Sequence, residues 1–437
     1  MRILIVSRTP WNNSNSFGNT FTNLFGGMED VQIFNVCCQD GKTDNQIVER
    51  AYQMTDKSVL RSAYKKASVG WEVKEIKNEA KEEAPKEAEL NTSFREKKNI
   101  KKNTVTVMIR DMFWKIGKWK KDKGFNAFLE EVSPDFIYLP VYGSWYMLDV
   151  AQYIVDKLKV PYACHITDDF YTFPKYTYSP LKKFYSSRVR KKTRKIVGGC
   201  EYLEVFAANM QREYSKIFNK PCYLIGKGVH ESEIAPLSVP DFEKKEKITF
   251  AYTGNLGVGR YKALTEIGMA LDGMNIGKEL VLDVYSASKY DDEIKSSFEK
   301  TKCISFKGAI SRDEVTRVQK EADALIHVES FDKKNIALTK MSFSTKIIDY
   351  MMMGKPVLAV GPSEVNSISY LTDCKIAFIS DENHPVKDTL TELLTDKEKL
   401  STVLTNTHKF LIEKRNIDII QKGIKARIVE SVYKYKN

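Results

Sequence analysis

Gly254, Gly257 and Gly259 punctuate the stretch FAYTGNLGVGRYKALTEIG (250–268), with Arg260 and Lys262 just beyond them. Glycines let a backbone approach a bound group closely. An apolar run precedes them and a helical pattern follows. Gly254 and Asn255 therefore sit before a helix N-terminus, whose unpaired N–H groups favour anions. Two cations join those donors in one place. This is the chemistry of a diphosphate cradle. It is not a P-loop, since GK[ST] is missing, nor a GxGxxG fingerprint. The same residues also fit a plain βα turn with solvated basic side chains.

A second cluster spans HVESFDKKNIALTKMSFSTKIIDYMMMGKPVLAVGP (327–362). Glu329 ends an apolar run, and Ser344, Thr345 and Lys346 open a helical stretch. Strand ends and the helix starts that follow them are where an α/β sheet meets a ligand. Hydroxyls and N–H groups at a helix start suit phosphate oxygens. Asp349, one turn on, has the reach to accept from a ribose hydroxyl pair. Glu329 suits sugar hydroxyls, and Lys340 adds a cation in the loop. The plainer alternative makes Ser344 an N-cap and Asp349 a solvated helix residue.

Two stretches of the first half carry further polar candidates. TPWNNSNSFGNTFTNLF (9–25) is rich in Asn and Ser and sets Gly18 beside Asn19 and Thr20. ACHITDDFYTFP (163–174) brings His165, Asp168 and Asp169 to a strand end. A neutral imidazole hydrogen-bonds hydroxyls, and two carboxylates tune it or hold an acceptor. An ordinary polar loop and a structural histidine fit these stretches as well.

The elements that must position these residues alternate strand and helix twice over. In the first half, strands are predicted at Ile3–Val6, Val31–Val36, Phe136–Leu139, Tyr162–Ile166, Leu203–Ala207 and Cys222–Ile225. In the second they fall at Ile248–Tyr252, Leu280–Tyr285, Cys303–Phe306, Ala324–Val328, Val357–Val360 and Ile376–Ile379. Helices are predicted at 261–273, 311–320, 345–353, 363–371 and 386–408. Continuous apolar strands between amphipathic helices argue parallel sheets covered on both faces. The fold class is thus α/β with two Rossmann-like, doubly wound domains. Their extents are 1–228 and 229–410, with a proline-bearing polar seam near 228–246. Residues 411–437 form a C-terminal helix expected to pack back on the first domain. A charged insertion at about 55–103, centred on KNEAKEEAPKEAEL, reads as loosely helical or mobile.

The chain has 437 residues, 42% hydrophobic and 29% charged, the balance of a soluble globular protein. Its formal net charge of +12 suits anionic partners without choosing among them. The start, MRILIVSRTP, is too short and polar for a signal peptide. The stretch Phe136 to Val155 is too polar to span a membrane. Seven cysteines without CxxC spacing read as reduced core residues of a cytoplasmic protein. Basic runs stand at 95–103, 118–123 and 188–195. Residues 104–125 alternate Val, Met, Phe, Trp and Ile with Lys and Arg. Such a helix lies on an anionic membrane surface or buries its apolar side in its own domain. Burial is the expectation for Met108, Met112 and Ile116, whereas Trp114 and Trp119 with the lysines support the surface reading.

The two-domain pattern, YTGNLGVGRYKAL and the HVESF…STKIIDYMMMGKPVLAVGP outline together resemble GT-B glycosyltransferases. The match is to the retaining glycosyltransferase family four, of the kind that builds bacterial surface polysaccharides. It is sharpest over 247–380, weaker over 1–50 and 130–225, and does not cover 55–103. The resemblance implies that the two domains face a central cleft and that Arg260 and Lys262 hold the donor diphosphate. It places Glu329 against the transferred sugar and Asp349 on the nucleotide ribose. Asp349 stands where the family has Glu, and the spacing between the acids exceeds the usual one. It assigns Ser344, Thr345 and Lys346 to the phosphates, Gly18 to the loop that approaches them, and His165 to the reacting sugar. The implied activity is metal-independent hexosyl transfer from a nucleotide-diphosphate sugar, a co-substrate, with no further cofactor. The acceptor would be lipid-linked or an oligosaccharide. A peripheral place on the inner face of the plasma membrane, through 95–125 and 188–195, follows from that acceptor. A non-catalytic sugar-nucleotide-binding relative and a GT-B sugar-nucleotide epimerase stay open. Nucleic acid is not an expected partner, since no recognition helix, RNA-binding sheet motif or zinc site is legible.

Overall fold

The computed structural model describes residues 1–65, 67–73, 104–172 and 179–437. The chain divides into two compact units. Unit 1 comprises Met1–Phe206, Met210–Ile225 and Ile420–Asn437; unit 2 comprises Ala207–Asn209 and Gly226–Ile419.

Unit 1 begins β1 (Arg2–Ser7), α1 (Ser16–Phe25), β2 (Gln32–Cys37), β3 (Val48–Met54), α2 (Asp56–Tyr64) and β4 (Gly70–Val73). It continues with α3 (Thr104–Ile116), α4 (Lys123–Val132), β5 (Phe136–Pro140), α5 (Trp145–Leu158), β6 (Tyr162–Ile166), α6 (Pro180–Gly199), β7 (Leu203–Val205), α7 (Ala208–Phe218) and β8 (Cys222–Leu224). The sheet order is β4-β3-β2-β1-β5-β6-β7-β8. All these pairings are parallel except β3 with β4. β5 and β6 are buried at every position, as strands covered on both faces must be. The outer strand β3 carries charge at Glu49 and Arg50, which hides it among polar segments in the sequence.

Unit 2 contains β9 (Lys247–Thr253), α8 (Arg260–Asp272), β10 (Glu279–Tyr285), α9 (Asp292–Phe298), β11 (Ile304–Gly308), α10 (Arg312–Glu321) and β12 (Ala324–Val328). After these come α11 (Lys333–Thr339), α12 (Lys346–Met352), β13 (Val357–Val360), α13 (Asn366–Cys374), β14 (Phe378–Ser380), α14 (Val386–Thr395) and α15 (Lys397–Lys414). The order β11-β10-β9-β12-β13-β14 is parallel throughout. Side chains alternate faces along each strand. Phe250, Tyr252, Ile326 and Val328 pack with Leu264 and Leu282 on one face. Ala251, Leu325, Val357 and Ala359 meet Ile347 and Met351 on the other. Burying one such large apolar side chain contributes about 1.5–3 kcal/mol.

The last helix, α16 (Ile417–Lys436), adds Ile424 and Ile428 to the unit 1 core. Its Gln421 donates to the Asn23 carbonyl at 2.8 Å. Its Arg427 pairs with the buried Glu204.

Several regions differ from the sequence reading, among them the strand β3, which it did not predict. The stretch 386–408 is two helices, because Asp396 closes α14 and caps α15 by accepting from the Lys399 N–H at 2.9 Å. The charged insertion begins with ordered elements, α2 and β4, while its KNEAKEEAPKEAEL centre and the basic run 95–103 lie outside the described residues. The 104–125 helix breaks into α3, a short turn at Trp119–Lys121 and the start of α4. Its apolar sides are also reversed. Trp114 and Trp119 are buried, with the Trp114 indole donating to Asp56 at 2.7 Å. Val105, Ile109, Met112 and Ile116 are exposed.

All seven cysteines are unpaired; Cys222 and Cys374 are half-buried and the others buried. Among the described residues no helix is long and apolar enough to cross a membrane.

Candidate functional site

The site builds from the end of β9. Tyr350 of α12 fixes the last residue, Thr253: its hydroxyl donates to the Thr253 carbonyl at 3.0 Å and accepts from its N–H at 3.1 Å. Gln319 donates to the Thr253 hydroxyl at 2.7 Å. The glycine turn follows. Asn255 shapes it by accepting from the Gly257 N–H at 2.5 Å. The Gly254 N–H is already given to the Tyr285 carbonyl at 3.0 Å. Val258 and Gly259 both have positive φ, 52° and 75°. At Gly259 an added Cβ would stand 2.6 Å from Ser330 Oγ, so glycine is needed there for conformation and space. The turn thus lies tight against the segment after β12 and delivers Arg260 to it.

Arg260 Nη2 donates to Glu329 Oε2 at 3.2 Å. Glu329 is 3% exposed and also accepts from Ser367 at 3.4 Å. Burial pushes the Glu329 carboxyl up, and Arg260 and Ser367 pull it back. An added Cβ on Gly361 would meet Glu329 Cβ at 2.8 Å, so the acid is backed by backbone. His327, on the same face two residues earlier, sets Nε2 3.6 Å from Glu329 Oε1. Burial, with Arg260 and Lys346 nearby, lowers its pKa to about 3 and keeps it neutral. Lys346 Nζ reaches toward the Thr253 carbonyl at 3.4 Å, and burial and the Arg260 charge hold its ammonium below the ordinary value.

Arg260, Glu329 and Lys346 therefore converge at the C-terminal ends of the central strands β9 and β12 of the unit 2 sheet. Lys262 pairs with Asp332 at 2.9 Å, both about half exposed, so that contact is weak and easily exchanged. Asp349 pairs with Lys227. The N-cap of α12 is Thr345, not Ser344, and it makes no side-chain cap. Lys340 pairs with Glu364 at 2.7 Å. The segment between Glu329 and Ser344, read from the sequence as the loop carrying Lys340, contains α11.

Of the unit 1 candidates, Gly18 sits differently from the sequence reading. Gly18 lies inside α1, its N–H taken by Asn15 at 2.7 Å. An added Cβ there would stand 1.7 Å from the Asn12 carbonyl oxygen, so this glycine serves the packing of loop on helix. His165 is the penultimate residue of β6, so it stands at the strand end where the sequence placed it. It is 1% exposed within β6, with Nδ1 2.9 Å from the Tyr138 hydroxyl and edges of Phe21 and Phe206 against its ring. Tyr138 in turn donates to Glu204, the partner of Arg427. Asp169 organises its own loop, accepting from the Tyr171 and Thr172 N–H groups at 3.0 Å and from the Tyr214 hydroxyl at 2.6 Å. Asp168 keeps a carboxyl raised by burial.

Sequence reasoning passed over His327, Tyr350 and Gln319. His327 carried a signal: it stands two residues before Glu329 in a strand, hence on the same face.

No family model matches this sequence, and no curated protein sequence matches it. Solved structures do. HepE of Anabaena in complex with UDP aligns with a TM-score of 0.63 at 11% identity, over 98% of this chain and 100% of that one. Sucrose-phosphate synthase from Thermosynechococcus elongatus aligns at 0.62 and 10% identity, over 99% of both chains. WaaG, a glycosyltransferase involved in lipopolysaccharide biosynthesis, aligns at 0.53 and 12% identity, over 97% of this chain and 98% of that one. These likenesses establish the fold. It is α/β with two parallel-sheet units, as in GT-B glycosyltransferases.

Proposed function

We propose that this chain is a retaining glycosyltransferase. It transfers a sugar from a nucleotide-diphosphate donor to a lipid-linked or growing glycan acceptor in bacterial surface polysaccharide synthesis. The observation that carries the reading is the convergence of Arg260, Lys346 and Glu329 beside the glycine turn. A fold shared with HepE, which was solved with UDP, supports a nucleotide donor.

In this reading Arg260 and Lys262 exchange their carboxylate partners for the donor diphosphate. Lys346 adds charge on the phosphates and Asp349 takes the ribose. As the glycosidic bond breaks, its electron pair goes to the diphosphate oxygen. Preorganised cations stabilise that charge, the largest single contribution in catalysis of this type, and no metal is required. The acceptor hydroxyl attacks from the same face and its proton passes to the leaving phosphate oxygen. Glu329 orients the sugar through its hydroxyls, and Asp168 offers the acceptor a carboxylate.

The exposed Val105, Ile109, Met112 and Ile116 of α3 follow one helical stripe, with Leu181 and Phe184 exposed on the basic helix α6. We assign this surface to an anionic membrane on its cytoplasmic side, where a lipid-linked acceptor would sit. Co-sedimentation with anionic but not neutral vesicles tests it, and equal binding to both would remove the assignment.

Thermal unfolding with UDP, GDP, ADP, CMP and TDP tests the donor site. One nucleoside diphosphate at about 100 times its Kd should stabilise by about 2.7 kcal/mol, and Arg260→Ala should abolish the shift. No shift with any nucleotide at millimolar concentration would overturn the reading.

A further inference from the structure

His327 has no place in the scheme above, yet it is buried with Nε2 lacking any hydrogen-bond partner. Buried polar atoms are nearly always paired, so an orphan beside a functional group calls for a reason. The atom is 3.6 Å from Glu329 Oε1, within a small side-chain rotation of a hydrogen bond. The Gly361 backbone stands behind the Glu329 Cβ.

We propose that His327 is a positioning residue for Glu329, its Nε2–H taking up the carboxylate when Arg260 turns from Glu329 to a donor diphosphate. The inference rests on the donor-site reading given above. A carboxylate buried as Glu329 is cannot be left without a partner, since its desolvation is then uncompensated. Arg260 supplies the partner while the diphosphate is absent. Once the guanidinium is shared with phosphates, Glu329 keeps only the long contact with the neutral Ser367 hydroxyl at 3.4 Å, and a protonated carboxyl or a further donor must make up the loss. The groups facing this corner are Arg260 from α8, Lys346 from α12, Ser367 from α13 and Tyr252 from β9. Two of them are cations, so a charged imidazolium is disfavoured and a neutral Nε2–H donor fits. The result is a Glu329 that stays ionised, able to accept from sugar hydroxyls, with the donor bound.

The test is calorimetric titration of the full chain with UDP, GDP, ADP and TDP at pH 7.5, in buffers of different ionisation enthalpy. Wild type should take up close to no protons on binding. His327→Leu removes the donor at similar volume and should take up about one proton, with affinity falling up to about tenfold per pH unit above 7.5. His327→Gln, whose amide N–H reaches the same place, should restore wild-type behaviour. His327→Asn is too short and should behave as His327→Leu. If His327→Leu misfolds, the Gln and Asn pair carries the test. Equal proton counts in wild type, His327→Leu and His327→Asn would overturn the proposal while leaving the donor site standing. Wild type binding none of these nucleotides would overturn both.

Discussion

Arg260→Met is the substitution with the sharpest expected outcome. It keeps the stem of the side chain and removes the charge that faces Glu329 at 3.2 Å. At that separation and an effective dielectric constant near 20, the Coulomb attraction is about 5 kcal/mol. The Glu329 side chain is 4% exposed and that of Arg260 22%, so water screens one partner in part. A loss of about 2–4 kcal/mol remains, near the range for breaking a buried pair. Glu329→Gln placed on top should recover roughly 2 kcal/mol, because the orphaned charge is gone. The deficit also has a pH signature. Without Arg260 the folded-state pKa of Glu329 rises further above its unfolded value. Protonation then relieves the strain at low pH, so the variant's deficit is small near pH 5 and grows toward pH 8. All five tryptophans, at 11, 71, 114, 119 and 145, belong to unit 1. Unit 2 is therefore followed by far-UV circular dichroism in urea at both pH values. A deficit under about 0.5 kcal/mol at pH 8, or full additivity with Glu329→Gln, would refute the argument that this pair is buried and coupled.

Two more predictions use the same physics. Burial holds His165 at a pKa of about 3, and burial with two nearby cations holds His327 there too. Each folded state binds its proton later than the unfolded chain does, so stability is present above about pH 6.5. It should fall by about 1.4 kcal/mol per histidine per pH unit between about 6.5 and about 3; a stability flat from pH 6.5 to 4.5 would contradict both burials. In unit 1, Arg427→Met strands Glu204, which is 0% exposed, and should cost about 3–5 kcal/mol in a tryptophan-fluorescence unfolding curve, with Arg427→Met/Glu204→Gln much milder. An unchanged midpoint would mean that α16 is not anchored through this pair.

Much of the architecture was already legible in the amino-acid sequence. Apolar runs such as Ala324–Val328 announce a strand covered on both faces, because only a parallel sheet under helices buries both sides of a strand. The glycines at 254, 257 and 259 with Arg260 announced a close-approach turn, because glycine takes the positive φ of 75° at Gly259 without strain. Other features needed the packed chain. β3 was missed because Glu49 and Arg50 break its apolar run, and Arg50 finds Glu72 across β3 and β4 only when β4 folds back. The two sides of α3 read wrongly because a helical stripe shows a periodicity, not which stripe faces inward. Tryptophans 114 and 119 turned inward because Asp56 and the Tyr146 ring are there to receive Trp114. His165 and His327 are equal as letters, each in an apolar strand. Both keep a buried Nε2 without a partner, but one is enclosed by Tyr138 and phenylalanines and the other lies 3.6 Å from a buried acid. Local sequence determined which residues stand in strands and turns, since backbone geometry is a local matter. Which atoms are deprived of water, and so which charges must pair, depends on segments far apart in the chain, and only the tertiary structure decided that.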